Sequence, residues 1–242
     1  MALIERFTTR SGVKIRYLDN APEEPVGLPI LFSPGVTDFA DEYTALLEYF
    51  LPRRVVVVEV RGRGGSEAPP TGYAVADHVR DLDAVVAEES FERLHVMTFS
   101  RGTSWALDFA LAEPARIATL SIGEYRAVEV GMPDTFAEHM FTTTFRGKPM
   151  SERVQRHVLE ELARESRARD LWDRLPELGP LLVARGGDGG MVDDAAVAQY
   201  EAVRPDVEVV TIPDAAHDLF RPDRTAYPAA IADFIARRTP GL

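Results

Sequence analysis

A short apolar strand, one tight turn and an apolar helix constrain this chain more than any other feature. The stretch reads His95-Val96-Met97-Thr98-Phe99-Ser100-Arg101-Gly102-Thr103-Ser104-Trp105, and the apolar residues continue to Leu111. A serine at the apex of such a turn is held in a strained backbone with its hydroxyl exposed above the sheet. The positive end of the following helix also favours developing negative charge at the turn. Ser100 is therefore a candidate nucleophile, and its alternative interpretation is an ordinary helix cap.

Strands and helices alternate along most of the remaining sequence. A hairpin signal at Ser11-Gly12 separates two alternating segments, and Val55–Val60 is a continuous apolar run typical of a parallel strand covered on both faces. Further strands are predicted at 29–32, 117–122, 181–184 and 207–212, and helices at 38–51, 73–89, 194–203 and 225–238. Residues 126–179 interrupt the alternation with helical patterns at 133–145 and 151–174 and no predicted strand. The pattern predicts a mostly parallel, doubly wound sheet with one helical insertion.

The five residues Thr98-Phe99-Ser100-Arg101-Gly102 resemble the nucleophile elbow of the α/β-hydrolase superfamily. Gly102 meets the family's need for a small residue after the serine, whereas Thr98 stands where glycine is usual. The order of strands and helices is similar to that family along nearly the whole chain. The resemblance implies an α/β-hydrolase fold, with a mostly parallel eight-stranded sheet and helices on both faces. It also implies a core domain at 1–125 and 180–242 and a helical cap insertion at 126–179.

A serine hydroxyl becomes a strong nucleophile only when a base takes its proton, and histidine is the usual base. The resemblance implies that this base follows the last strand, where His217 stands between Ala216 and Asp218. The family usually places its acid after the strand that ends at Ala184, but the expected spacing falls on Gly189. Glu124, directly after the preceding strand, occupies the family's alternative acid position. We therefore predict a triad of Ser100, His217 and Glu124, with Asp188 as the alternative acid.

The resemblance also implies an oxyanion hole built from backbone N–H groups. One donor is the N–H of Arg101, and the other is the N–H of Val36, which follows Pro34-Gly35 where the family usually has His-Gly. The Arg101 side chain could meet either an anionic substrate group or a carboxylate of the fold. Five large apolar residues are candidates for the substrate pocket, with ordinary core packing as their alternative: Trp105, Phe136, Met140, Phe141 and Phe145.

Composition narrows the class of partner. The 242 residues carry a net charge of −12 and contain no cysteine. The acidic balance argues against nucleic acid and anionic membrane surfaces, and the lack of cysteine excludes disulfides and thiolate metal sites. The N-terminal residues carry charges where a signal peptide needs an apolar core, so we expect a cytoplasmic protein that is a monomer or homodimer.

The sequence thus predicts a serine hydrolase that uses no cofactor or metal and acts on a small-molecule substrate. Its expected substrate is an ester, lactone or thioester of a small apolar acid. Two alternatives remain open at this stage. One is a carbon–carbon hydrolase or cyclase of natural-product or aromatic metabolism, and the other is a non-catalytic ligand-binding member of the fold.

Overall fold

The computed structural model describes residues 3–241. Its strands are, in chain order, β1 Ile4–Thr8, β2 Ile15–Asp19, β3 Ile30–Ser33, β4 Val55–Glu59, β5 Leu94–Thr98, β6 Ile117–Gly123, β7 Val128–Glu129, β8 Thr144–Phe145, β9 Lys148–Pro149, β10 Arg169–Asp170, β11 Leu181–Arg185 and β12 Glu208–Thr211. Its α-helices are α1 Thr44–Tyr49, α2 Val75–Glu88, α3 Gly102–Ala112, α4 Phe136–Phe141, α5 Arg156–Glu165, α6 Asp194–Val203 and α7 Ala226–Arg238. Within residues 3–241, none of these helices has the length and apolar character that crossing a lipid bilayer requires.

One eight-stranded sheet organises the molecule, in the order β1-β2-β4-β3-β5-β6-β11-β12. The second strand runs antiparallel to both of its neighbours, β1 and β4. All other adjacent strands in this sheet are parallel. The predicted fold class, a mostly parallel eight-stranded sheet of the α/β-hydrolase type, is confirmed.

Helices cover both faces of the sheet because the central strands are apolar on both sides. In β4, Val56 and Val58 pack into the apolar cluster that includes residues of α2, α3 and α6. The intervening Val55 and Val57 belong to the opposite cluster, with residues of α1 and α7. Successive side chains of a strand point to opposite faces, so an unbroken valine run fits a sheet buried on both sides.

Residues 126–179 differ from the expected all-helical segment. They contain two short antiparallel ribbons, β7 with β10 and β8 with β9, so the prediction of no strand in this region was wrong. The helices α4 and α5 are also shorter than the predicted patterns. Turn-forming Arg146-Gly147, both with positive φ, creates the β8–β9 hairpin and ends the helical pattern there. The segment has its own apolar cluster, shared with Tyr73 of the core.

A buried ion pair braces the loop after β4 against α2. The Arg61 guanidinium donates to Asp81 through Nε at 2.9 Å and Nη2 at 2.7 Å, and the Arg61 backbone N–H donates to the same carboxylate at 3.0 Å. Both side chains are almost fully enclosed. Removing one partner of such a pair leaves the other charge buried and uncompensated.

We therefore expect Asp81→Asn to lower the free energy of unfolding by about 3 kcal/mol. Urea denaturation followed by circular dichroism measures the change. Glu177→Gln is the matched control, because Glu177 pairs with Arg174 on the exposed surface. That variant should unfold at the native midpoint, and equal losses in the two variants would contradict the role given to the buried pair.

Candidate active site

The turn between β5 and α3 holds Ser100 in the left-handed backbone region, with φ of 51°. Its backbone N–H donates to the Gly123 carbonyl at 2.8 Å, and the preceding Phe99 N–H donates to the Ser33 carbonyl at 3.0 Å. The turn is thus tied to the ends of β6 and β3, the strands on either side. A Cβ atom at Gly102 would overlap the backbone carbonyl oxygens of Ser33 and Pro34, so only glycine permits this approach.

Thr98 fits the elbow although glycine is usual at its position. Its hydroxyl donates to the Ser121 carbonyl at 3.2 Å and accepts from the Gly123 N–H at 3.3 Å. The hydroxyls of Thr98 and Thr103 are 2.8 Å apart. The buried hydroxyl therefore has a full set of partners, which removes the penalty for enclosing a polar group. The small residue needed at the strand contact is instead Gly123, where a Cβ atom would lie 2.6 Å from the Thr98 carbonyl oxygen.

His217 reaches the serine from the loop after β12. Its Nε2 lies 3.0 Å from Ser100 Oγ, and its Nδ1 lies 3.3 Å from Glu124 Oε2. The imidazole stacks on Phe99, with ring centroids 5.2 Å apart. The serine hydroxyl, the imidazole and the carboxylate therefore form one hydrogen-bonded series. His78, His95, His139 and His157 lie outside it.

Glu124 is completely buried at the end of β6, also with positive φ. Its carboxylate accepts backbone N–H groups from Gly186 at 3.0 Å, Met191 at 2.6 Å and Val192 at 3.3 Å. Burial alone raises the pKa of Glu124. The hydrogen bonds from His217, Met191 and Gly186 outweigh that effect and hold the pKa below its usual value. The carboxylate is thus ionised and aimed at the imidazole.

The alternative acid, Asp188, is exposed on the loop that surrounds the Glu124 carboxylate. The glycines of this loop allow it to approach the Glu124 carboxylate and Ala216 closely. A Cβ atom at Gly190 would lie 2.9 Å from Glu124 Oε1, and one at Gly186 would overlap the Ala216 carbonyl. The loop therefore supplies N–H groups to an acid from the neighbouring strand, while its own aspartate faces solvent.

Two backbone N–H groups are free beside the serine. Those of Val36 and Arg101 have no acceptor among residues 3–241. The Val36 loop is fixed from three sides. Arg63 Nε donates to the Val36 carbonyl at 2.7 Å, Arg153 Nε donates to the Thr37 carbonyl at 3.1 Å, and the Gly35 N–H donates to Asp38 at 2.8 Å. A preorganised pair of donors of this kind is suited to stabilising an oxyanion.

A cavity of about 170 Å³ opens at Ser100 and His217. Its other lining residues are Gly35, Val36, Thr37, Asp38, Phe99, Met140, Thr143, Thr144, Phe145 and Met150. Met140 and Phe145 are therefore the pocket candidates that the structure brings to the serine. The sequence pattern places Asp38 at the start of a predicted helix, and no pattern identifies Met150 as a residue of the cavity. The sequence signal for Asp38 is its position two residues after Val36, the candidate oxyanion donor.

The other pocket candidates do not line this cavity. Trp105 is buried in the core, with its ring stacked on His78 at a centroid distance of 4.1 Å. Phe136 and Phe141 pack on the apolar cluster of the inserted segment. Helical periodicity identified apolar faces correctly, but those faces meet other elements of the fold instead of the serine.

The Arg101 side chain meets a carboxylate of the fold. It forms a buried ion pair with Glu129 of β7 and donates to the Val130 carbonyl at 3.2 Å. It therefore ties the elbow to the start of the inserted segment. Among residues 3–241, no three histidine, aspartate or glutamate side chains converge as metal ligands.

Comparisons with known proteins identify the fold. Residues 29–122 match the sequence model of the alpha/beta hydrolase fold family. Together with the sheet order and the solved structures that share it, this match shows that the chain has the α/β-hydrolase fold.

Individual relatives extend the comparison. The chain is 32% identical over 114 residues to a non-heme chloroperoxidase of Streptomyces lividans. The aligned region is 46% of this chain and 41% of that protein. It thus spans about two fifths of that relative. It is 24% identical over 258 aligned positions to N-formylmaleamate deformylase of Pseudomonas putida, covering 93% and 94% of the two chains. The enol-lactonase of Burkholderia xenovorans LB400 superposes with a TM-score of 0.79 over 96% of this chain and 100% of its own, at 17% identity.

The close approach at the elbow makes Gly102→Ala destructive. The added methyl group meets two backbone carbonyls instead of a flexible side chain, so β3 and α3 must separate. We expect the free energy of unfolding to fall by about 1–3 kcal/mol, measured by denaturant titration. Gly187→Ala is the control, because the nearest atom to its added Cβ would be 3.6 Å away. Similar stabilities for the two variants would show that the elbow tolerates a wider spacing.

Proposed function

We propose that the protein is a serine hydrolase that cleaves an ester, lactone or thioester of a small apolar acid. The observation that carries this proposal is the continuous series from Ser100 Oγ through His217, 3.0 Å away, to the Glu124 carboxylate. The steps require no cofactor, because the nucleophile, the base and the oxyanion donors all come from the chain.

The reaction follows from the directions of these hydrogen bonds. Ser100 donates its proton to His217 Nε2 as its oxygen attacks the substrate carbonyl. The charge that develops on the carbonyl oxygen is met by the N–H groups of Val36 and Arg101. The imidazolium, stabilised by Glu124, returns the proton to the leaving group. Water, activated by the same imidazole, then releases the acyl group and restores Ser100.

The volume and lining of the cavity support the proposal that the substrate carries a small acyl group. Its volume is about 170 Å³, and Val36, Phe99, Met140, Phe145 and Met150 give it largely apolar walls. Pockets of this composition favour apolar substrate groups, with the few polar groups setting orientation. The full-length relative from Pseudomonas putida is named a deformylase, and removal of a formyl group is also transfer of a small acyl group to water.

A fluorophosphonate probe tests the nucleophile. It should form a covalent adduct on Ser100, because Ser100 is the one serine among residues 3–241 whose hydroxyl has an imidazole partner and it lines the cavity. Ser100→Ala should abolish both labelling and ester hydrolysis. Intact-protein and peptide mass spectrometry locate the adduct. Ser104→Ala is the control, because Ser104 lies in α3 just after the turn and its hydroxyl donates to the Val128 carbonyl of β7 instead of an imidazole. An adduct on Ser66 or Ser104 would contradict the proposal.

The acid is tested by comparing two carboxylates on one substrate. An acid that orients the imidazole and stabilises its cation can be worth about 10⁴ in turnover. We expect Glu124→Gln to lower kcat by at least about a hundredfold, and Asp188→Asn to leave it within about twofold, because Asp188 is exposed. Steady-state kinetics on p-nitrophenyl acetate gives both values. The reverse ranking would assign the acid to the Gly186–Gly190 loop.

A further inference from the structure

Asp38 is a buried carboxyl group in the wall of the cavity at Ser100, and the reaction as described does not use it. The residue is 2% exposed. Its Oδ2 accepts two hydrogen bonds, from the Gly35 N–H at 2.8 Å and from the Tyr43 hydroxyl at 2.6 Å. These two bonds fix the carboxyl plane and satisfy one of its two oxygens.

The other oxygen, Oδ1, accepts no hydrogen bond among residues 3–241, and the nearest guanidinium nitrogen is that of Arg153 at 4.0 Å. Six polar side-chain atoms in this part of the chain are both fully enclosed and unpartnered, and Asp38 Oδ1 is not one of them. It is therefore reachable from the cavity that Asp38 shares with Ser100 and His217.

The neighbouring cations already have other carboxylates. Arg153 donates to Glu42 at 2.6 Å, and Arg146 makes a two-pronged pair with Asp218 at 2.8 and 2.9 Å. Arg146 also lies 3.3 Å from Glu42. The half-exposed Arg221 lies 3.9 Å from Asp218 and adds a third, solvated cation to that side. Asp38 consequently shares the surrounding positive charge without a direct partner of its own.

This environment shifts the Asp38 carboxyl group toward its neutral form. Burial raises the pKa of Asp38, and Glu42 adds to the rise, while Arg146 and the hydrogen bonds from Tyr43 and Gly35 oppose it without cancelling it. Because Oδ2 already accepts two hydrogen bonds, the proton of the neutral carboxyl group belongs on Oδ1. That oxygen then presents a hydrogen-bond donor to the cavity.

We propose that Asp38 is a specificity-determining residue, whose Oδ1–H donates a hydrogen bond to an uncharged oxygen acceptor on the acyl part of the substrate. An oxo, hydroxyl or ether oxygen a few atoms from the scissile carbonyl has this chemistry. The inference rests on the proposed function and refines its substrate class from a purely apolar acid to an oxygen-bearing one. A substrate carboxylate is disfavoured, since no unpaired cation lines the cavity.

A matched pair of esters isolates this contact. p-Nitrophenyl 4-oxopentanoate and p-nitrophenyl 4-methylpentanoate have the same shape, with an oxo oxygen in one where the other has a methyl group. We expect the native protein to favour the oxo ester by about tenfold in kcat/KM, because the methyl ester leaves the buried donor unpaired. The ratio of the two values cancels effects that are common to both substrates.

Two substitutions at one position give opposite expectations. Asp38→Leu should bring the ratio to about 1, because the donor is removed. Asp38→Asn should keep most of the preference, since its amide oxygen can accept from Gly35 and Tyr43 while its NH₂ group faces the cavity. Thr37→Val is the matched control: Thr37 lines the same cavity, and the substitution removes a hydroxyl without changing shape. It should retain the native ratio.

The pH dependence of the ratio separates donor from acceptor. In the native protein the preference should fall as pH rises through the pKa of Asp38, because the ionised carboxylate repels an oxygen acceptor. In Asp38→Asn it should stay constant over the same range. A preference that grows with pH, or that disappears in Thr37→Val and persists in Asp38→Leu, would overturn the proposal.

The failure of this inference differs from the failure of the proposed function. Hydrolysis of p-nitrophenyl acetate and fluorophosphonate labelling of Ser100 test only the catalytic series. If both occur while the native ester ratio is near 1, the role of Asp38 is wrong and the hydrolase remains. If neither occurs in the folded native protein, both proposals fail. Thermal unfolding establishes that each variant is folded before its ratio is used.

Discussion

The buried Glu124 carboxylate is the contact on which the geometry of the site depends. It stands at the end of β6, accepts three backbone N–H groups from the loop after β11, and faces His217 from the loop after β12. One side chain therefore fixes the relative positions of three chain segments. A buried carboxylate without those donors would cost several kcal/mol. The loop must consequently keep its glycines, because side chains at Gly186 or Gly190 would occupy the space that the carboxylate and Ala216 fill.

The turn at Ser100 and the loop that carries Val36 also depend on a close approach of two backbone segments. Gly102 lets the first turn of α3 touch the backbone carbonyls of Ser33 and Pro34, at the start of the loop that carries Val36. The carbonyls of Val36 and Thr37 accept hydrogen bonds from the side chains of Arg63 and Arg153. The loop therefore cannot relax without breaking buried hydrogen bonds. Donors held in this way need no reorganisation when negative charge appears, which is the physical requirement for an oxyanion site.

The sequence was sufficient for the parts of the molecule that local rules determine. Apolar runs and turn residues predicted the parallel sheet, and Ser100 and His217 followed from their places in the strand order. The acid was harder, because the choice between Glu124 and Asp188 depends on how a glycine-rich loop folds around a carboxylate from a neighbouring strand. No local pattern encodes that loop conformation.

The pocket could not be predicted for a related reason. Periodicity shows that Trp105 and Phe136 lie on apolar faces, but not whether those faces meet the core or the cavity. Asp38 has the opposite problem. An aspartate before a helical segment is usually a cap, and only the three-dimensional positions of Gly35 and Tyr43 show that one oxygen is satisfied and the other is open to the cavity. The order of strands and helices along the chain therefore predicts which loops carry the candidate site residues. It does not predict which side chains are buried in the core and which line the cavity.

The inserted segment meets the core through apolar residues such as Leu171 and Leu175 and through directional polar contacts. Arg101 pairs with Glu129 at its start, Arg146 reaches Asp218 beside the catalytic histidine candidate, and Glu165 accepts three backbone N–H groups at Gly72–Ala74. Apolar contacts would tolerate sliding of the segment, whereas hydrogen-bonded charges hold one register because any displacement leaves a buried charge unpaired. The wall that the segment contributes to the cavity, including Met140, is thereby fixed relative to Ser100. The shape of the cavity beside Ser100 is thus maintained in part by charged side chains that do not line it.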